Sequence, residues 1–193
     1  MIKLIMMTGR CFHGGKMTLF VLQRKINMDM YDIISLTNSV YSEDDFECAK
    51  KIMLGGDRFY YVLKNGEPFL RVEVELTLSA FDTAVVFHEY LCIGVNDKVF
   101  FINMNSFECR QIYVQMYFGY FYICRDMLFV LSGNGAIAFD NKINEVWRQS
   151  MLAEDGVVVK EMENDNVLVL SCEMDPPGGW VTRKINIYDG KEI

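Results

Sequence analysis

The chain has 193 residues, of which 51% are apolar and 23% charged, and it carries a net charge of −7. That length and apolar content suit one ordered domain with its own core. The negative charge excludes the basic footprint that displaces counterions from phosphates, so no direct nucleic-acid contact is expected and a basic partner suits the chain better.

In chain order, Met1–Thr8 and Thr18–Gln23 read as two short strands around the glycine turn Gly9-Arg-Cys-Phe-His-Gly-Gly15. The apolar stretch after Lys3 is too short for a signal h-region or a membrane span. No targeting segment, no membrane association and a cytoplasmic location are therefore expected. The Gly9-to-Gly14 spacing superficially matches a phosphate-binding loop, but Lys16 stands one place late and Met17 occupies the position of the magnesium-ligating hydroxyl. A plain glycine turn is the simpler reading. Residues 1–30 hold Lys3, Arg10, Lys16, Arg24 and Lys25 against Asp29 alone, so the remainder of the chain is more acidic than the total.

Ser42 precedes Asp45 by three places, and Phe46, Ala49, Ile52 and Met53 then recur at helical spacing until Gly55-Gly56. This predicts one N-terminal α-helix. The chain is expected to be a single domain, 1–193, with a strand pair and helix in 1–56 and an antiparallel β-hairpin body in 57–193.

From residue 57 the pattern is strands and turns. Phe59–Leu63 and Phe69–Leu78 flank Asn65-Gly66, with Leu70, Val72, Val74, Leu76 and Leu78 on one face and Arg71, Glu73, Glu75 and Thr77 on the other. Ala84–Phe87, Leu91–Val95 and Val99–Met104 form a meander. An aromatic run over Tyr113–Cys124, then Leu128–Ser132, Asn134-Gly135 and Ala136–Phe139 follow, and Val157–Lys160, Val167–Cys172 and Val181–Tyr188 close the set. A unit of apolar strand, tight turn and second apolar strand recurs from Tyr90, Met127 and Val167. The fold class is mainly β: antiparallel meander or hairpin sheets, partial propeller-like or sandwich, with the one N-terminal α-helix.

Chemistry-bearing motifs are sparse. The six cysteines are at least 15 residues apart, and Cys92 and Cys124 replace apolar residues within strand-like runs, which suits reduced, small-hydrophobe thiols. His13 and His88 are the only histidines, and no Cys or His pair has the spacing of a zinc site, so no metal or cofactor is expected. Cys11, two residues before His13, is the one candidate nucleophile, and structural roles explain both histidines and the thiol more simply. No catalytic residue is assigned.

Acidic residues cluster twice. Glu43, Asp44, Asp45 and Glu47 suit a helix start, where the macrodipole favours negative charge. Over 151–175, Glu154, Asp155, Glu161, Glu163, Asp165, Glu173 and Asp175 face Lys160 alone, a net of −6. That is either a solvated face or a field that steers a basic partner. Asp175-Pro-Pro-Gly-Gly-Trp180 then reads as a rigid loop anchored by a buried ring, suited to stabilising the last hairpin or to a pre-organised contact.

Trp147, Asp155-Gly156-Val157, Asp175-Pro-Pro-Gly-Gly-Trp180 and Tyr188-Asp189-Gly190 together resemble a group of small bacterial proteins with a β-rich C-terminal half, over residues 90–193. As an acidic β-rich chain the protein also resembles the immunity proteins of contact-dependent growth inhibition. That resemblance implies a monomer that binds a cognate toxin in a 1:1 complex and neutralises it, often an RNase such as one of the EndoU type. The expected function is therefore binding rather than catalysis, by occlusion of a basic nuclease domain through Glu154, Asp155, Glu161, Glu163, Asp165, Asp175 and Trp180. The alternatives are a hydrolase with carboxylates in a cleft and a structural protein-interaction module.

Overall fold

The computed structural model describes residues 30–36, 39–77 and 81–193. The two strands expected over Met1–Thr8 and Thr18–Gln23, the glycine turn, Cys11 and His13 lie outside the described residues.

The described chain is mainly β, as expected, with fifteen strands in four sheets. The first sheet contains β1 (Tyr31–Ile34), β2 (Lys50–Met53), β3 (Arg58–Lys64) and β4 (Glu67–Val74), in the order β1-β3-β4-β2. The second is the meander β5 (Asp82–Phe87), β6 (Tyr90–Val95), β7 (Lys98–Asn103) and β8 (Cys109–Tyr113). The third is β9 (Phe118–Cys124), β10 (Met127–Ser132), β11 (Ala136–Phe139) and β12 (Glu145–Gln149). The last has three strands, β13 (Val157–Asn164), β14 (Val167–Asp175) and β15 (Gly179–Asn186). All pairings are antiparallel except β2 with β4.

Each sheet packs a face on the next. Val62, Leu70, Val72 and Val74 of the first sheet meet Leu91, Ile93, Val95 and Ile102 of the second. The other face of the second sheet sends Cys92, Val99 and Phe101 against Leu128, Val130, Ile137 and Phe139 of the third. The far face of the third sets Phe129, Leu131 and Trp147 against Leu168, Leu170, Cys172 and Ile185 of the last. Sheets covered on both faces require apolar residues at consecutive positions, which is why Leu91-Cys-Ile and Leu128-Phe-Val-Leu131 are unbroken apolar runs rather than alternating ones.

The N-terminal helix does not form. Residues Asp44–Phe46 make a short 3₁₀ turn and Lys50–Met53 form β2. Half of the cap signal is real, because Asp45 accepts the Ser42 backbone N–H at 2.7 Å and its hydroxyl at 2.9 Å. The stripe behind it fails: Phe46 is fully buried against Tyr61 and Leu63, whereas Met53 is 73% exposed. The open edge of β4 competes for this segment. Pairing Lys50 through Met53 with Leu70 through Glu73 and donating Leu54 N–H to Glu73 C=O at 2.8 Å satisfies groups that a marginal helix of about three turns would leave unpaired.

The aromatic run Tyr113–Cys124 also divides. Tyr113 ends β8 in the second sheet and Phe118 begins β9 in the third, with Met116 at φ 64° between them. The crossing is held by Val114 N–H to Asp97 C=O at 2.9 Å and Phe118 N–H to Asn96 C=O at 2.6 Å. The Asn65-Gly66 hairpin forms as expected, with both residues at positive φ (54° and 86°), the pair that a two-residue hairpin turn demands.

Candidate functional site

The acidic stretch folds as the last sheet, and that sheet divides it. At one end, Glu154 and Asp155 lead into β13 while Asp175 and Trp180 flank the turn from β14 to β15. Glu161, Glu163 and Asp165 lie further along: opposite β14, Glu161 pairs with Val169, four residues or about 13 Å from Glu173, and Asp165 follows Asn164, which pairs with Val167 about 20 Å from Glu173.

The distal group is largely neutralised. Lys184 Nζ lies 2.6 Å from Glu163 Oε1, and Asp165 pairs with Arg125. Glu161 is exposed beside Lys160, Thr182 and Lys184 on the outer face of the sheet, where Lys160 Nζ donates to Thr182 Oγ1 at 3.2 Å. That face is polar and mixed in charge.

The proximal end is a built rim. The Glu173 carbonyl accepts N–H from Glu154 at 2.7 Å and from Asp155 at 3.3 Å, and Glu173 N–H donates to Gly156 C=O at 3.0 Å. Its carboxylate accepts Gly178 N–H at 2.5 Å, which ties the Pro176-Pro177-Gly178 turn down onto β14. Tyr117 donates its hydroxyl to Asp155 Oδ1 at 2.5 Å and stacks on Phe81 at 5.7 Å. Burial, with the Asp155 carboxylate second, pushes the Tyr117 phenol up to about 12.

Trp180 corrects an expectation. Its ring is 46% exposed rather than buried, and it reaches across Glu173 so that a Cβ added at Gly156 would lie 3.2 Å from it. Gly156, at φ 126°, is thus required both by its backbone and by the ring above it. Among the described residues, the Glu154 and Asp175 carboxylates have no ion-pair or hydrogen-bond partner, so their charge is open to solvent.

A second concavity was not foreseen. A cleft of about 500 Å³ lies where β1, β3 and β5 converge, lined by Arg58, Phe59, Tyr60, Asp82 and Thr83 among others. Asp82 accepts Arg58 Nε at 2.8 Å and Tyr60 Oη at 2.8 Å, and Arg58 Nη2 lies 2.7 Å from the same carboxylate oxygen. Burial first and Asp82 second raise the Tyr60 phenol well above its usual range. Three donors from β3 converge on the one Oδ2 of Asp82 in β5, so the cluster acts as a clamp between the first two sheets. Arg58 and Tyr60, two apart on one strand, were bound to share a face, but nothing local pointed to Asp82.

Of the remaining candidates, His88 lies 3.5 Å from Asp126 and edge-on to Phe87. Cys92 and Cys172 are buried as small apolar residues, and the described cysteines are all free. Among the described residues no group of His, Cys, Asp and Glu is placed to hold a metal ion, and no helix is long and apolar enough to cross a membrane.

No protein-family model matches the chain, and no curated protein matches it. A crystal structure of BBS1N in complex with ARL6DN is similar at a TM-score of 0.46 and 16% identity, covering 69% of this chain. The chain spans 41% of the length of that one.

Proposed function

We propose that the protein acts by binding: an acidic, cytoplasmic immunity protein on a partial propeller-like scaffold, which occludes a cognate basic nuclease toxin. The rim at the proximal end of the last sheet is the contact surface. The observation that carries this reading is that the unpaired Glu154 and Asp175 carboxylates and a half-exposed Trp180 share one end of the last sheet, where Glu173 bonds the backbone of Glu154, Asp155 and Gly178. An exposed aromatic on rigid backbone is a low-entropy anchor, and unpaired carboxylates around it steer a basic partner and disfavour an acidic one. Neutralised Glu163 and Asp165 are assigned to holding the sheet, not to the contact.

The test is co-expression with a candidate basic nuclease toxin domain, taken from a neighbouring reading frame where one exists. The expected result is a complex that survives gel filtration, relief of toxicity, and association that slows as salt is raised. Trp180→Ala combined with Asp175→Asn is expected to weaken the complex strongly, while Glu163→Gln leaves it near the parent level. A stable chain that neither forms a complex nor protects the cell ends the proposal.

A further inference from the structure

One turn recurs at each junction between neighbouring sheets. After the third strand of the second, third and last sheets, the chain places one residue at positive φ: Phe107 at 61°, Ile143 at 61° and Gly190 at 70°. Its N–H returns to the strand end, to Asn103 C=O at 2.7 Å, Asp140 C=O at 3.0 Å and Asn186 C=O at 2.9 Å respectively. A long side chain from the edge strand of the preceding sheet reaches each of these residues. Lys50 Nζ of β2 lies 5.4 Å from the Phe107 ring centre, Arg110 Nη1 of β8 donates to Ile143 C=O at 2.8 Å, and Gln149 Nε2 of β12 donates to Gly190 C=O at 2.9 Å. An aromatic ring occupies two of the three junctions. Phe107 itself packs on Phe69 at 5.6 Å, and the Trp147 ring lies so close to Gly190 that a Cβ there would meet it at 2.7 Å. Ile143 is smaller than either ring, and at its junction a cavity of about 180 Å³ remains.

Strand register sets out the walls of that cavity. Asn103 lies beside Tyr90 on one side and Glu108 on the other, and two residues along, Phe101 lies opposite Arg110. Alternate residues of a strand share a face, so Phe101 with Asn103 and Glu108 with Arg110 look together towards the third sheet, whose Lys142 and Ile143 form the facing wall. The floor is apolar, with Phe101 and Ile143 both buried. The rim carries both signs. Among the described residues Arg110 and Lys142 have no ion-pair partner, because the acids whose charge they feel are bound elsewhere: Asp140 by the N–H and side-chain amide of Asn144, and Glu145 by Arg148 at 2.8 Å. The Glu108 carboxylate accepts the Ser106 hydroxyl at 3.3 Å. The Asn103 side-chain oxygen accepts the Asn105 and Ser106 N–H groups, which leaves its amide NH2 as a donor.

We propose that this cavity binds a free α-amino acid with an apolar side chain of about one ring. The side chain rests on Phe101 and Ile143, Arg110, Lys142 and the Asn103 NH2 receive the carboxylate, and Glu108 receives the ammonium. An apolar floor under a rim of both signs matches a zwitterion. A simple carboxylic acid would face Glu108 without answering it, and a simple amine would do the same to Arg110 and Lys142. The site joins the second sheet to the third and stands apart from the proposed toxin contact on the last sheet.

The probe is para-fluoro-L-phenylalanine, followed by fluorine NMR on the full chain and compared with its decarboxylated amine and its deaminated acid. The expected result is saturable broadening with the amino acid and affinity about ten-fold weaker or worse for each of the other two. Lys142→Glu changes an exposed side chain and should weaken the amino acid by about ten-fold. Ile143→Phe sets into the cavity a ring at the same positive φ that Phe107 already adopts in the equivalent turn, and it should abolish binding while thermal unfolding confirms the fold. Should that variant not fold, Lys142→Glu and the three probes still decide. No saturable binding, binding that Lys142→Glu leaves unaltered, or an amine or acid that binds as tightly as the amino acid overturns the inference. The double variant Trp180→Ala with Asp175→Asn should bind the amino acid like the parent, so failure of the toxin contact and failure of this site are read separately. Loss of amino-acid binding in that variant would place the probe on the last sheet and overturn the inference as well.

Discussion

Tyr117 and Tyr60 are both phenols that donate to a carboxylate, and both are held neutral, chiefly by burial and then by the hydrogen bond to that carboxylate and its charge. For Tyr117 the consequence for pH is definite. A folded-state value of about 12 lies above the unfolded value of about 10, so its contribution to stability is complete below pH 10 and is lost as pH rises through 12. In a spectrophotometric titration its phenolate should appear near pH 12, and the stability difference between the parent and Tyr117→Phe should shrink between those two values. Asp155→Asn should bring the ionisation down only part of the way, because burial is the larger cause. The Asp82 clamp gives a second test. Asp82→Ala leaves the buried Tyr60 hydroxyl without its acceptor, at an expected cost of about 1–3 kcal/mol in denaturant unfolding. The half-exposed Arg58 adds little to that cost. Single residues were legible in the sequence where burial followed from neighbours in the chain, as at Cys92, whereas Cys124, read in the same way, is only partly buried. They were illegible where a partner came from far away, as Asp82 does for Arg58.

At the scale of elements, strands form where apolar runs meet a neighbouring face. The junction of the second and third sheets turns on Gly94 of β6, where a Cβ would lie 2.3 Å from the Phe118 ring that opens β9. Gly94→Ala should therefore destabilise by about 1–3 kcal/mol through overpacking, measured by chemical unfolding. Phe118→Leu in the same chain should recover part of that loss, so the two changes will be non-additive in a double-mutant cycle. The 44–53 segment shows why local pattern misled. Its cap residues and spacing describe a helix in isolation, but β4 presented an unpaired edge, and pairing with it outweighed propensity.

On the scale of the whole molecule, each sheet depends on its neighbours, since separate core clusters lie between the first and second, second and third, and third and fourth sheets. Stability in such an array is a sum of sheet and interface contributions. Leu170→Ala empties a fully buried site between the last two sheets and should cost about 2–5 kcal/mol. Native-state hydrogen exchange should then show β13 to β15 opening while the first two sheets stay protected. Because the proposed contact rim belongs to that last sheet, the same substitution should weaken partner binding without touching the rim itself.

By itself the sequence determined the β character, most of the strands from residue 58 onward and the Asn65-Gly66 turn, because strand period and turn residues are written in adjacent positions. It also marked the stretch from Glu154 to Asp175 as strongly acidic. Only the tertiary structure decided that this acid is divided between two ends of one sheet, that Lys184 and Arg125 neutralise the distal part, and that Trp180 lies half exposed across Gly156. Those outcomes depend on which strands lie side by side, and pairing joins residues that the chain keeps far apart. Charge is a property of the sequence, whereas a field is a property of where the charges and their partners end up.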